Sequence, residues 1–544
     1  MLSRKFEEMR LLSLFTFIFF ISSLYAQKEI DLSWSENLDF NKSNEHNKIV
    51  GIQKDNLYVV SSSNSIPQNS INVSLDIYDK SSLSLIKSVE ICDNKSDFNY
   101  EKLIITENYI HLFTSFFDRQ LGFKILSIQT FQEEDQSFGE STRIDEVFTD
   151  EKNDKNFFKL ATSPDGKYIL IYHNNTSRSG NKFFNMKVIN EDFTTMWEKE
   201  IELNYKERMV EIQDLIIDDN STVHLLSSIN PYGIGRSSGF GALLNIKNAL
   251  FTYRPYEDKL KEIEFALTRN WINTVSMVLD ENQHLLATAF YTYPNDYKMR
   301  GFVMIRLQHE TGAIMTRKMI TFSKEQYNNV ELAISRLKEH SRNIVGTSSI
   351  YPGTSSHMNN TSTEFSVKKV LVHDGNIIYA IEALRKDERC TESFNEQQMI
   401  VNCEKHYLYG DILLFFVTSN GVLKSINNIE KMQHSIDKGN PYYSFSITSN
   451  QNDLLLMYND ESSNTLIKSD QKDLKKKPLS NMKKASLEMV LFNIQGGIQP
   501  MKFTRSESDN IRFLPHEYKW INNSELLLYS QKEKSYKFGK LMLH

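Results

Sequence analysis

The chain has 544 residues, 40% of them hydrophobic and 24% charged, which is ordinary globular usage and excludes a disordered or collagen-like polymer. Its net charge of -6 lacks the strongly basic balance of a nucleic-acid binder. Length alone suggests about three or four domains, but a ring of repeats can absorb such a length as one unit.

The first residues read as a secretion signal. Arg4, Lys5 and Arg10 precede an apolar run from Leu11 to Ile21, and small residues lead to Ala26, so cleavage is expected before Gln27. The run is too short for a comfortable membrane span, and no later stretch approaches the ~20 apolar residues a span needs. The expectation is an exported, monomeric chain whose mature domain covers residues 27–544, without a transmembrane segment. The periplasm is the expected compartment, with the cell surface or the medium as alternatives.

Beyond the signal, one local pattern recurs eight times: a short polar turn followed at once by about four apolar or aromatic residues, as when a tight turn feeds a buried strand. The bursts begin at Leu57, Ile110, Tyr168, Val223, His284, Ile377, Asp453 and Glu525. Their spacing is roughly 50 to 60 residues early and roughly 70 to 90 later, where insertions intervene, against about 40 to 50 for a four-stranded propeller blade. Around Tyr168, the runs Phe158–Thr162, Phe183–Ile189 and Met196–Leu203 complete a four-stranded antiparallel meander. Such a meander cannot cover its own faces, so neighbours must stack into a ring. The predicted fold is an all-β propeller of four-stranded antiparallel blades, eight by this count with seven as the alternative, rather than a double β-sandwich. The last repeat is one strand short, and Ile30–Trp34 is expected to supply that strand against Lys537–Leu543 and close the ring.

Few stretches carry chemistry. His111, His224 and His284 recur near the starts of bursts, which is what half-buried strands show. Asp165, Asp218, Asp219, Asp280, Glu281 and Asp374 sit in tight turns, whose backbone Asp favours, and none forms a calcium loop. Gly235-Arg236-Ser237-Ser238-Gly239 matches the nucleophile-elbow pattern but lies in a glycine-rich loop without the strand and helix an elbow requires. A short helix is expected from Val330 to His340, where Val330, Ala333, Ile334 and Leu337 keep helical spacing inside an insertion over 323–363. Cys390 and Cys403 flank a polar loop over 386–406 and are candidates for a disulfide in an oxidising compartment; neither has a neighbour at zinc spacing. Lys472 to Lys484, inside a loop over 461–484, holds six lysines and reads as a solvated segment, with an anionic glycan as the alternative contact. No metal, cofactor or catalytic residue is assigned.

From Ile377 onward, the segments Ile377–Ala383, Tyr407–Ile426 and Tyr442–Asp460 together resemble an uncharacterised group of exported proteins of Bacteroidetes-type bacteria. The resemblance covers about 90 residues and implies a propeller and export, without chemistry. The matching positions are Glu382, Tyr407, Tyr409, Gly410, Asp411, Tyr443, Asn459 and Asp460, while Ala383-Leu384 replaces an expected aromatic pair.

Strand parity suggests where a partner would dock. The eight tight turns all join first to second strands, so the long segments share the opposite face of the ring. Glu382 and Asp460 are expected to end second strands, Tyr407, Tyr409 and Asp411 to begin a third, and Tyr442 and Tyr443 to begin a first, which brings all seven to that face. Long loops on a rigid scaffold are where binding usually resides. The expectation is a binding or scaffold protein for an envelope protein or glycan, with Glu382, Tyr409, Asp411 and Tyr443 near the centre of its surface. The alternative is a secreted hydrolase or lyase using acids and tyrosines on the same face, which paired carboxylates would mark.

Overall fold

The computed structural model describes residues 30–39, 46–63, 72–92, 98–106, 108–149, 157–175, 179–231, 246–265, 271–293, 298–345, 350–351, 354–395, 398–437, 441–450, 453–466, 476–493, 501–505, 512–532 and 535–543. Their strands form eight antiparallel sheets, each built on a four-strand meander. Blade 1 comprises His46–Gln53, Asn56–Ser62, Val73–Asp79 and Leu85–Cys92. Blade 2 comprises Phe98–Ile105, Ile110–Asp118, Phe123–Gln132 and Thr142–Phe148. Blade 3 comprises Lys159–Thr162, Tyr168–Asn175, Asn181–Asn190 and Thr195–Lys206. Blade 4 comprises Val210–Ile217, Val223–Ile229, Lys247–Arg254 and Lys259–Glu264, and blade 5 comprises Trp271–Leu279, Leu285–Thr292, Met299–Leu307 and Ile314–Thr321. Blade 6 is the longest, with Thr354–His373, Asn376–Asn395, Gln398–Thr418 and Leu423–Ile429. Blade 7 comprises Ser446–Ser449, Asp453–Glu461, Ala485–Asn493 and Met501–Arg505. Blade 8 takes Phe513–Trp520, Glu525–Lys532 and Ser535–Leu543, and Ile30–Trp34 is its fourth strand.

The molecule is an eight-bladed β-propeller, and its eight apolar clusters show why the ring forms. Each cluster lies between two sheets that follow one another, and the eighth joins blade 8 to blade 1. Second strands feed two clusters at once. In blade 8, Leu526 and Leu528 face blade 7 while Leu527 and Tyr529 face blade 1. In blade 6, Ile377, Tyr379 and Ile381 face blade 5 while Ile378 and Ala380 face blade 7. Side chains alternate across a strand, so a strand covered on both sides must be apolar at successive positions. All eight sequence bursts fall on these second strands. The turns before them do what their residues suit: Asp218 Oδ1 accepts from the N–H groups of Asn220 and Thr222, and Asp280 Oδ1 from those of Asn282 and His284.

Ring closure is a ladder from Ile30 opposite Leu543 to Trp34 opposite Gly539. Gly539 is required there, because a Cβ would sit 2.9 Å from the Trp34 ring.

The insertions are more ordered than the sequence suggests. The helix, α1, runs Lys324–Val345, twice the expected span. Ser323 and Gln326 cap it reciprocally: the Gln326 N–H donates to Ser323 Oγ at 3.2 Å and the Ser323 N–H to Gln326 Oε1 at 2.9 Å. Its buried Val330, Ala333, Ile334 and Leu337 join the cluster between blades 5 and 6. The expected polar loop over 386–406 is instead strand: the second and third strands of blade 6 run on past Glu382 and Ile412 as a hairpin to Asn395 and Gln398. A hydrogen-bonded ladder needs no apolar side chains, which is why hydropathy misses it. Cys390 and Cys403 face each other in that ladder and are disulfide-bonded, with Cα atoms 4.0 Å apart. Among the described residues, no helix is long and apolar enough to cross a membrane. The signal region, Ser237 and Lys472–Lys475 lie outside the described residues.

Closure yields a direct test. Deleting the last ten residues removes the strand that joins Ile30–Trp34 to blade 8, and the whole domain should lose its cooperative thermal transition. Leu541→Ala should keep a single transition and lower stability by about 2–5 kcal/mol in chemical denaturation, as buried leucines do.

Candidate functional site

The innermost strands of the blades are neighbours around the ring axis. Five of the eight carry a β-bulge, at Ile49/Gly51, Tyr100/Lys102, Ile212/Asp214, Ile272/Thr274 and Val367/Lys369, and a sixth has a longer register shift at Phe513/Tyr518. A bulge adds an unpaired residue, frees backbone groups and re-aims side chains. Neighbouring blades use the freed groups. Lys159 Nζ donates to the Ile212 carbonyl at 3.2 Å, and the Ile49 N–H donates to Glu517 Oε2 at 3.0 Å.

In blade 6 the extra residue is Lys368, and with Lys369 it lines a cavity of about 600 Å³ walled by blades 4, 5 and 6. Opposite lie Gln213 and Asp214 of blade 4, Thr274 and Ser276 of blade 5, and a recess between these blades reaching Ser228 and Asn248. Burial raises the Asp214 carboxyl. Ser276 Oγ is buried without a hydrogen-bond partner.

Behind Lys368 stands a buried polar network that gathers the residues expected at the rim. Glu382 is fully buried and accepts from Lys431 Nζ at 2.8 Å and Ser444 Oγ at 2.9 Å, with Lys368 Nζ at 3.4 Å. Tyr409 lays its ring 5.9 Å from Lys431 Nζ and 5.6 Å from the ring of Tyr443. Asp411 pairs with Arg336 of α1 at 2.9 Å and accepts from the Lys431 N–H at 3.3 Å. Arg336 also meets Glu430 at 3.4 Å. Asp460 pairs with Lys476 at 3.3 Å, whose ammonium also reaches the Glu430 carbonyl at 2.9 Å. Tyr442 lends its carbonyl to Asn459 Nδ2 at 2.8 Å, and half-buried Tyr407 sits in the ladder opposite Ser435. Gln433 holds the centre, accepting from the Ser444 N–H at 2.7 Å and donating to the Asn459 carbonyl at 2.7 Å. That clamp maintains Ser444 at a φ of 74°, unusual for a residue other than glycine.

The acids and tyrosines therefore meet between blades 6 and 7, but Glu382, Asp411, Tyr443 and Asp460 are buried there rather than displayed. Glu382 lies inside its strand, not at its end, because the hairpin continues beyond it. Sequence reasoning missed the cations that draw these acids inward: Lys368, Lys431, Arg336 and Lys476. One signal was present. Lys368-Lys369 breaks the alternation of an inner strand, as a bulge does.

His111 and His224 are buried and hydrogen-bonded to Thr130 and Thr252 of their own blades, as strand histidines rather than a shared ligand set. Among the described residues no group of His, Cys, Asp and Glu could hold a metal.

No family model matches the chain, and no curated protein matches it. Solved structures similar to it include the β-propeller domain of the Trilobed protease from Pyrococcus furiosus, at 9% identity and a TM-score of 0.35, covering 87% of this chain and 98% of that one. Prolyl oligopeptidase B from Galerina marginata matches at 8% identity and a TM-score of 0.36 over 92% of this chain, which spans 55% of that one. Polysaccharide lyase Uly1 matches at 9% identity and a TM-score of 0.33, over 92% and 99%. At these values none carries an argument about what this chain binds or does.

Two outcomes follow from the network. Lys431→Met removes the closer of the two ammonium groups that meet buried Glu382 and should cost about 3–5 kcal/mol in denaturant unfolding, with part recovered when Glu382→Gln is added. The second concerns pH. Burial pushes the Glu517 carboxyl up to about 7, against the pull of the Ile49 N–H and Lys48. The folded chain thus binds a proton the unfolded chain has released, so this group's contribution to stability falls as pH rises from the ordinary carboxylate range through about 7. Melting temperatures of parent and Glu517→Gln should differ least near pH 4, and the variant should gain on the parent as pH climbs to 8.

Proposed function

We propose that the chain is an exported, non-enzymatic binding protein whose blades 4 to 6 hold a polar, hydroxyl-rich ligand of the glycan kind. The observation that carries this reading is the cavity along the inner strands of blades 4 to 6, with ammonium groups on blade 6, a carboxylate and two amides on blade 4 and hydroxyls on blade 5. Sugar hydroxyls both donate and accept, which suits a wall mixing donors and acceptors, and the volume lies within the range of small-ligand sites. The unpaired Ser276 hydroxyl supports an occupant that completes its hydrogen bonding. Binding is favoured over two-carboxylate acid-base catalysis because Asp214 is the one carboxylate among the lining residues of the cavity, while Glu382, Asp411 and Asp460 are buried in ion pairs away from it. Export rests on the N-terminal signal pattern.

Titration calorimetry of the purified protein against defined neutral and uronate-containing oligosaccharides should find binding, weakened about tenfold by Lys368→Ala or Asp214→Ala. A tenfold loss is about 1.4 kcal/mol, in line with one charge-assisted hydrogen bond. Binding indifferent to both substitutions, or no binding to any of these glycans, would overturn this site. N-terminal sequencing of envelope-fraction protein should begin at Gln27.

A further inference from the structure

A second cavity, of about 320 Å³, lies between blades 2 and 3 and is remote in sequence from everything above. Its lining combines His173, the aromatic rings of Phe148 and Phe183, and the amides of Asn175 and Asn185, with Glu146, Glu198 and Glu200 around the mouth; Asp145 stands behind His173, its Oδ2 3.5 Å from His173 Nε2. The fold explains how polar groups come to lie inside an otherwise apolar interface. In the second strand of blade 3, Ile169 and Ile171 face blade 2, and the next positions on that face are His173 and Asn175. Cross-strand pairing then sets Asn185 beside His173 and Glu200 beside Asn185. On the blade 2 side, a bulge at Arg143/Asp145 makes two successive residues point inward. Ile144 enters the apolar cluster and Asp145 meets His173 of the cavity wall.

The floor is buried and unsatisfied. Asp145, His173 and Asn185 are 7%, 2% and 5% exposed. Asp145 Oδ2, His173 Nδ1, Asn175 Oδ1 and Asn185 Oδ1 are buried with no hydrogen-bond partner. Their geometry leaves acceptors facing inward. Asn185 spends its amide N–H on Glu198 at 2.8 Å and Asn175 on Glu200 at 3.4 Å, so both carbonyl oxygens are left over. Charge has the same bias. Of the four carboxylates, Glu198 has Lys187 at 3.3 Å and Glu146 has Arg143, while Asp145 and Glu200 meet no lysine or arginine among the described residues. Water could satisfy the amide oxygens, whereas a cation would satisfy them and also pair with Glu200 at the mouth.

We propose that this pocket binds an organic cation: a primary ammonium or guanidinium group on an alkyl stem. The head would donate to the two asparagine oxygens and be neutralised by Glu200, while its stem packs on Phe148 and Phe183, whose rings also favour a positive charge. The source is either a basic side chain of a peptide or a free amine.

The test uses the full chain and ligand-observed NMR with n-butylammonium and propylguanidinium, against n-butanol and butyrate as neutral and anionic counterparts. Both cations should bind, more weakly at high salt, and neither counterpart should. Glu198→Gln and Glu200→Gln, on exposed rim positions, should each weaken cation binding at least fivefold with unchanged melting temperature. Asn185→Leu should weaken it at least tenfold; if that variant is unfolded, the rim variants still decide. Butanol binding as well as butylammonium, or binding insensitive to both rim substitutions, would overturn the proposal. Acetyl-lysine-amide and a linear diamine compared with butylammonium identify the source, since a peptide site favours the first and a free-amine site the second, and either preference supports the pocket.

Discussion

A four-stranded blade whose second strand is apolar on both sides has no stable place in water by itself. One neighbour covers one face, and only a ring gives every blade two. The eight interblade clusters are thus a mutual requirement rather than eight independent cores, and the cluster between blades 7 and 8 takes Leu32, Ile30 and Trp34 from the strand that completes the last sheet. The bulges near the axis follow from the same demand. Inner strands packed around an axis need local twist, and the backbone groups a bulge releases are taken up by the next blade, as with Lys159 and Ile212 or Glu517 and Ile49. Polar contacts near the axis and apolar contacts farther out therefore hold the same joints.

Blade 6 departs from its siblings in a way that explains the buried network. Its second and third strands outrun the ring, and the point where they leave, near Glu382 and Ile412, is where α1 arrives. Gly410 makes this approach possible: a Cβ there would sit 2.9 Å from Leu337 of the helix. Acids that would have stood at a blade edge are roofed by this insertion, and interior charge must be paired. Arg336 reaches in from the roof, Lys431 from the segment after the fourth strand, and Lys368 from the bulged inner strand.

What could be read from the sequence, and what could not, divides along the range of the forces. The second strands were legible because two-sided burial writes an unbroken apolar burst into consecutive residues, and the strand exchange at closure because the last repeat lacks a partner. The grouping of Glu382, Tyr409, Asp411 and Tyr443 was legible from parity. Their burial was not, because it depends on Lys431, Arg336 and Lys368, which lie tens of residues away. The hairpin beyond Glu382 escaped notice because its stability comes from backbone pairing and a disulfide, neither of which leaves a hydropathy signature. The pocket between blades 2 and 3 was equally silent: His173, Asn175 and Asn185 read as ordinary strand polarity until register places them together.

The closing ladder also has a mechanical side. Ile30 pairs with Leu543 and Trp34 with Gly539, so positions 30 and 543 lie at the same end of an antiparallel pair whose hydrogen bonds run across the strands. A pull that separates those two positions loads the bonds one after another, as a zipper opens, whereas a pull along the strands would load them together. The ring is accordingly weakest to tension applied at its own junction. Tethering it through that junction gives a soft mechanical fuse, and anchoring it through any other blade leaves the fuse unloaded.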